Sequence, residues 1–196
     1  MPGFTTLKGK TAVYNADHVD TDRIIPARFL TMVTRFGYGE LLFNDVRGNG
    51  FPLDEPAANG AKILVVGTNF GCGSSREHAV WAIQQAGFEC VIAKSTKETP
   101  GYSDIFRQNA ANCGLLLIEL APDAHYFVAE PGSGAEISVD LPAQTVSVGA
   151  DSFSFHINAA TKDALVQGLD LIGTTMSYAD AITAHESTSR SFVPPA

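Results

Sequence analysis

The sequence predicts an α/β fold with a mixed sheet, and three observations carry that expectation. Between Lys62 and Leu120 short apolar runs alternate with helix-like stretches that end in glycine, the pattern of parallel strands joined by crossover helices. From Ala135 to Ile157 the apolar residues recur at every second position, as antiparallel strands require. The composition, 45% apolar and 17% charged over 196 residues, is that of a globular chain long enough to bury a core.

The elements follow in order. "TAVYN" reads as a strand near the amino terminus, and "DHVDTDRIIPARFL" as an acidic turn leading into a short helix. Thr34 to Gly60 is rich in Gly, Asn, Asp and Pro and reads as a long irregular connection, the kind of segment that carries function or moves. "KILVVG" is a buried strand, and "SREHAVWAIQQAG" a helix ended by Gly87. "CVIAKS" is a second strand of this type, "YSDIFRQNAANCG" a helix ended by Gly114, and "LLLIEL" a third strand. A helix near 122–129 precedes the strands "AEISVDL", "QTVSVGA" and "SFSFHI". A last helix near 161–168 ends at Gly168, and a polar tail runs from 185 to 196. With no repeat and no separable linker, residues 1–196 are expected to form one domain with its core at about 5–180.

Charge and cysteine content narrow the function. A formal net charge of -8, with 13 scattered basic residues, argues against a nucleic-acid partner. The three cysteines, Cys72, Cys90 and Cys113, form no C-x-x-C pair, so neither a disulfide framework nor a cluster bound by this chain alone is expected. "MPGFTTLKGK" lacks the apolar core of a signal peptide, and no stretch is long enough to span a membrane. A soluble chain in a reducing cytoplasm is expected.

The chemistry concentrates in "NFGCGSSREHA", Asn69 to Ala79, at a junction of strand, glycine turn and helix. Glycines allow positive φ and close backbone approach, and helix-start N–H groups attract anions. Arg76, read as lying in the first helical turn, adds a planar fork suited to a carboxylate. The plain alternative is a capping box, with Ser74 and Glu77 satisfying each other's backbone donors. A cation in a first helical turn, however, is disfavoured unless an anion offsets it. Better-known glycine loops do not fit. A phosphate loop needs Gly-Lys-Ser/Thr, the dinucleotide fingerprint would have Arg76 at its third glycine, and a nucleophile elbow would need glycine two residues after its serine.

Other candidates are weaker. Asp17, His18, Asp20 and Asp22 read as a solvated turn before a metal site, so no metal ligand is assigned. Cys72 is either a reactive thiol at a helix start or a buried filler. His125 and His156 read as ordinary surface or packed histidines. Trp81, Phe106 and Phe127 read as core. Arg35, ahead of a Gly-x-Gly turn, is within reach of a ligand in principle but alone reads as surface.

Four blocks in order, "DTDRIIPARF" (Asp20–Phe29), "NFGCGSSREHA" (Asn69–Ala79), "DIFRQNAANCGLL" (Asp104–Leu116) and "GLDLIGTT" (Gly168–Thr175), carry a resemblance over nearly the whole chain. The chain resembles the small subunits of bacterial 3-isopropylmalate dehydratase and, more distantly, the mobile carboxy-terminal domain of aconitase. The resemblance implies a swivelling β/β/α domain, with no cofactor of its own, that closes over a large subunit carrying a [4Fe–4S] cluster. It implies interconversion of 2- and 3-isopropylmalate by dehydration and rehydration in leucine biosynthesis. Ser74 then matches the base, Asp22 a catalytic residue, and Ser75, Arg76 and Arg35 the substrate-binding residues. The loop after Phe43-Asn44-Asp45 is shorter than usual for the family, "KSTKETPGYS" is longer, and "NAATKDALVQ" lacks basic residues. A related hydroxy-dicarboxylic acid of methylmalate or citraconate type is the alternative substrate, because the 30–60 loop is where a side-chain pocket would form. A non-catalytic anion-binding domain is the alternative from another class.

Overall fold

Every residue of Ile63–Val66 is apolar and buried, so this strand has no polar face to offer solvent and must lie inside a sheet covered on both sides. The computed structural model describes residues 3–32, 34–48, 50–74 and 76–188. It places this strand, β2, between β1 (Thr6–Tyr14) and β3 (Cys90–Lys94), with β4 (Leu116–Leu120) beyond β3, all four parallel. On the other side of β1 run β5 (Glu136–Asp140), β6 (Thr145–Val148) and β7 (Asp151–Ser154), each antiparallel to its neighbour. The order is β4-β3-β2-β1-β5-β6-β7, the mixed sheet expected.

β1 is longer than the expected "TAVYN" because it serves both halves of the sheet. Thr6 to Lys10 pair with β5, and Thr11 to Tyr14 pair with β2. The first half hides from a periodicity reading, since Lys8 and Lys10 interrupt any apolar run.

Helices cover both faces. One apolar layer contains Leu64, Val66, Val91 and Ala93 beneath α2 (Glu77–Gln85) and α3 (Asp104–Cys113). The opposite layer contains Ile63, Val65, Cys90 and Ile92, packed with Val128 of α4 (Pro122–Ala129) and Leu165 of α5 (Ala159–Gln167). Gly114 and Gly168 end α3 and α5 in the left-handed conformation, as their sequence positions predict. Phe106 is fully buried, whereas Phe127 is 52% exposed and stacks on Phe153. The expectation that Phe127 is core is thereby corrected: its ring lies over the half-exposed antiparallel end of the sheet.

The irregular 34–60 connection is closely packed over its described residues. It is a chain of 3₁₀ turns at Gly39–Leu41, Pro52–Asp54 and Pro56–Ala58 that buries Tyr38, Leu42, Phe43 and Phe51. After Gly168 the chain forms two more helices, α6 (Leu171–Met176), capped by Asp170, and α7 (Ala179–Thr188). Residues 185–188 of the expected tail are thus helical, and 189–196 lie outside the described residues. Among the described residues no helix is long and apolar enough to cross a membrane.

Candidate active site

Parallel strands deliver their following loops to one end of a sheet, which is where α/β proteins assemble ligand sites. Here the loops after β1, β2 and β3 meet there and are stitched together by backbone bonds. Gly71 N–H donates to Val19 O at 2.8 Å, and Thr21 N–H donates to Cys72 O at 3.0 Å. On the other flank Asn69 N–H donates to Pro100 O and Phe70 N–H to Gly101 O, each at 2.8 Å. Ser103, ahead of α3, donates its hydroxyl to Gly71 O at 2.7 Å. Residues 69–72, which lead into the Ser74 turn, are therefore held on both sides by neighbouring loops.

The two glycines have separate reasons. Gly71 has φ +74°, and a Cβ there would fall 2.3 Å from Cγ of Phe106, so neither the backbone nor the packing admits a side chain. Gly73 has φ +83°, but the nearest atom to its missing Cβ is 3.6 Å away. One glycine lets the turn press onto the core; the other lets it reverse.

Helix α2 starts later than the sequence suggests. Arg76, in extended conformation (φ -123°, ψ 135°), is the N-cap, and the first helical residue is Glu77. Ser74 lies two residues before the cap and is exposed. Among the described residues no side-chain cap closes this helix, so the alternative capping box does not form, and Arg76 precedes the first turn rather than occupying it as expected. Glu77 instead accepts the Cys113 thiol at 3.3 Å.

Asp22 and Arg76 are brought together. Asp22 lies on α1 (Thr21–Ile24), capped by Asp20, whose carboxylate accepts Arg23 N–H at 2.7 Å. Arg76 Nη1 donates to Asp22 Oδ1 at 2.6 Å, with the arginine side chain 21% exposed and the aspartate 53%. This pair fixes one prong of the guanidinium. Among the described residues no other side-chain hydrogen bond engages it, so Nε and Nη2 remain available to a planar anion.

Arg35 is placed differently. Its guanidinium lies over the Trp81 ring of α2, 5.1 Å from the ring centroid. The turn that carries it is held by Gln85, which accepts Tyr38 N–H at 2.9 Å and donates to Arg35 O at 2.7 Å. Ser75 lies outside the described residues. Sequence reasoning missed Gln85 and Ser103 as supports for the site, because nothing in their local pattern announces a partner dozens of residues away.

The thiols are poor nucleophiles here. Burial, reinforced by the nearby Asp20 carboxylate, raises the Cys72 pKa. Burial and the Glu77 carboxylate push Cys113 up to about 12. Cys90 is fully buried and is likewise pushed up by desolvation. Among the described residues no group of three or more His, Cys, Asp or Glu side chains can hold a metal ion. His125 is buried and donates through Nε2 to Val66 O at 2.7 Å; His156 is exposed.

Comparison with known proteins places this fold and site in a class. Residues 1–123 match the model of the aconitase C-terminal domain, and residues 128–159 match the model described as LeuD_N. The chain is 41% identical over 193 residues to the 3-isopropylmalate dehydratase small subunit of Lactococcus lactis subsp. cremoris, covering 95% of this chain and 98% of that one. It is 43% identical over 198 residues to the same subunit of Beutenbergia cavernae, covering 99% and 91%. The crystal structure of 3-isopropylmalate dehydratase (leuD) from Methanocaldococcus jannaschii superposes with a TM-score of 0.66 at 28% identity, covering 92% of this chain and 99% of that one. The chain is thus an aconitase-type C-terminal domain. Within that class it belongs to the family of 3-isopropylmalate dehydratase small subunits.

Proposed function

We propose that this chain is the small, substrate-gripping half of a two-subunit hydro-lyase that interconverts 2- and 3-isopropylmalate. The observation that carries the reading is the Ser74 turn: an exposed serine, an arginine fork with one prong anchored by Asp22, and the start of α2 lie within a few residues of one another. Family membership and the name of the relatives as small subunits support the rest.

In this reading Arg76 binds a substrate carboxylate through the donors that Asp22 leaves available. That contact sets the adjacent C–H toward Ser74. Ser74 Oγ removes the proton from the carbon beside the carboxylate, hydroxide departs from the neighbouring carbon, and an unsaturated diacid results. Water then adds with the two positions exchanged. A serine hydroxyl is too weak an acid to serve as base in water, so the alkoxide must be stabilised by the cation and by backbone dipoles in a closed site. Asp22 orients Arg76 and moderates its charge. Ser75 and Arg35 are proposed substrate contacts.

The three cysteines stand on separate elements with protonated thiols, a poor fit to a cluster on this chain, so no step is routed through one. The [4Fe–4S] cluster and its Lewis-acid chemistry are proposed to reside on a large subunit that covers the Ser74 turn and excludes water. A cytoplasmic location is part of the proposal. So is the organisation of the chain as one domain.

The test is reconstitution with a cluster-bearing large subunit, assayed against 2- and 3-hydroxy dicarboxylic acids. Turnover of the isopropylmalates above the smaller methylmalates is expected. Preference for a methylmalate would replace the substrate, and binding without turnover of any acid would replace the enzyme reading by an anion-binding one.

A further inference from the structure

The pairing of β1 with β2 stops at Tyr14 and Val66, yet the loops beyond stay in register as far as Cys72. Something must bridge the gap where the backbone turns. Gly67 N–H still reaches Ala16 O at 3.2 Å. The next donor, Thr68 N–H, meets no backbone carbonyl, because the neighbouring chain swings away through His18 at φ +55°. Asp17 Oδ1 takes that donor at 2.7 Å. His18 N–H then returns to Thr68 O at 2.8 Å, so both backbone groups of Thr68, itself 5% exposed, are held from the 17–18 corner.

The oxygen that accepts Thr68 N–H is itself held. Lys94 Nζ, at the end of β3, lies 3.2 Å from the same Oδ1. A Cβ at Gly67 would fall 2.3 Å from it, so only glycine leaves the carboxylate room. Beneath them His125 Nε2 donates to Val66 O at 2.7 Å. The titratable and charged groups around this corner are Asp17, Lys94, His125 and the exposed His18, which contacts Asn69 at 3.0 Å. The Asp17 pKa lies below its ordinary value, chiefly through the Thr68 N–H bond.

We propose that Asp17 is a positioning residue for the Ser74 turn: its Oδ1 replaces a missing strand carbonyl at Thr68 and so sets the register in which Ser74 and Arg76 face Asp22. Lys94 holds that oxygen in place. From Thr68 the tie runs through Gly71–Val19 and Cys72–Thr21 to the reacting residues, and this role rests on the function proposed above.

Asp17→Ala and Asp17→Asn, in the reconstituted enzyme, separate acceptor from charge, since the amide oxygen of asparagine still accepts. In Asp17→Ala kcat falls about ten- to a hundredfold with KM within about threefold, the scale of a small misplacement of reacting groups. Exchange of the Thr68 amide, followed by NMR on the isolated chain, speeds up at least about tenfold, the factor for about 1.4 kcal/mol of lost protection. Asp17→Asn restores both. If Asp17→Ala does not fold, Asp17→Ser, too short to reach, carries the same expectation. A protected Thr68 amide in the Ala or Ser variant, unchanged kcat, or equal loss in the Asn variant overturns the proposal. If the wild-type pair turns over no hydroxy-acid, the function proposed above fails, while the Thr68 exchange rate still decides whether Asp17 holds the turn.

Discussion

Replacing Gly71 by alanine tests whether the turn is pressed onto the core as described. The new methyl would lie 2.3, 2.5 and 2.8 Å from Cγ, Cδ2 and Cβ of Phe106. Phe106 cannot step aside, because it is fully buried between Phe70, edge-on at 5.6 Å, and Tyr102, stacked at 6.0 Å. Overpacking of this kind costs about 1–3 kcal/mol, and a non-glycine residue at positive φ adds about 1–2 kcal/mol. The sum is about 2–5 kcal/mol. Gly73→Ala is the control, since its φ of +83° is equally demanding but the nearest atom to its Cβ is 3.6 Å away. It is expected to cost only the backbone contribution. Urea unfolding of the isolated chain, with m unchanged, gives both values. Equal destabilisation by the two variants would show that Phe106 does not support the turn.

Other predictions address the site and its supports. Arg76→Lys exchanges a fork for a point charge and is expected to lower kcat/KM of the reconstituted enzyme by roughly 30- to 150-fold, about 2–3 kcal/mol of charge-assisted hydrogen bonding; unchanged kinetics would remove the clamp. Gln85→Ala strips the acceptor from Tyr38 N–H and is expected to destabilise the chain by about 1–3 kcal/mol in urea. Gln85→Glu, which keeps the acceptor, should lose less, and equal losses would contradict the assignment. Burial depresses the His125 pKa below 6.5, opposed by its bond to Val66 O. The unfolded chain therefore binds the proton more readily, so this residue's contribution is complete above pH 6.5 and is lost as pH falls toward the depressed value. Unfolding measured from pH 8 to 5 should show this slope, and His125→Gln should flatten it. An unchanged slope would rule the histidine out as its source.

The sequence announces some parts of this molecule and hides others for physical reasons. β2 and β3 are legible because strands covered on both faces must be continuously apolar, and α3 and α5 because Gly114 and Gly168 mark left-handed ends. The first half of β1 is hidden because its pairing with β5 is set by residues more than a hundred positions away. The late start of α2 is hidden for the opposite reason. Ser74 and Glu77 satisfy a local capping rule, but Gly71 and Cys72 are tied to the 19–21 loop and Arg76 is extended, so the helix begins only at Glu77. That Asp22 and Arg76 share one site follows from the resemblance to a family, whereas their direct pairing is legible only in the structure. Asp17 sits in the acidic cluster that reads as a solvated turn, and its role emerges only when Thr68 is seen to need an acceptor.

In the proposed mechanism Ser74 takes the substrate proton. Solvent deuterium incorporation into 3-isopropylmalate, followed by NMR with the reconstituted pair, measures that step directly. Ser74→Ala is expected to abolish incorporation while folding and subunit assembly are unchanged. Incorporation at the wild-type rate in that variant would contradict it.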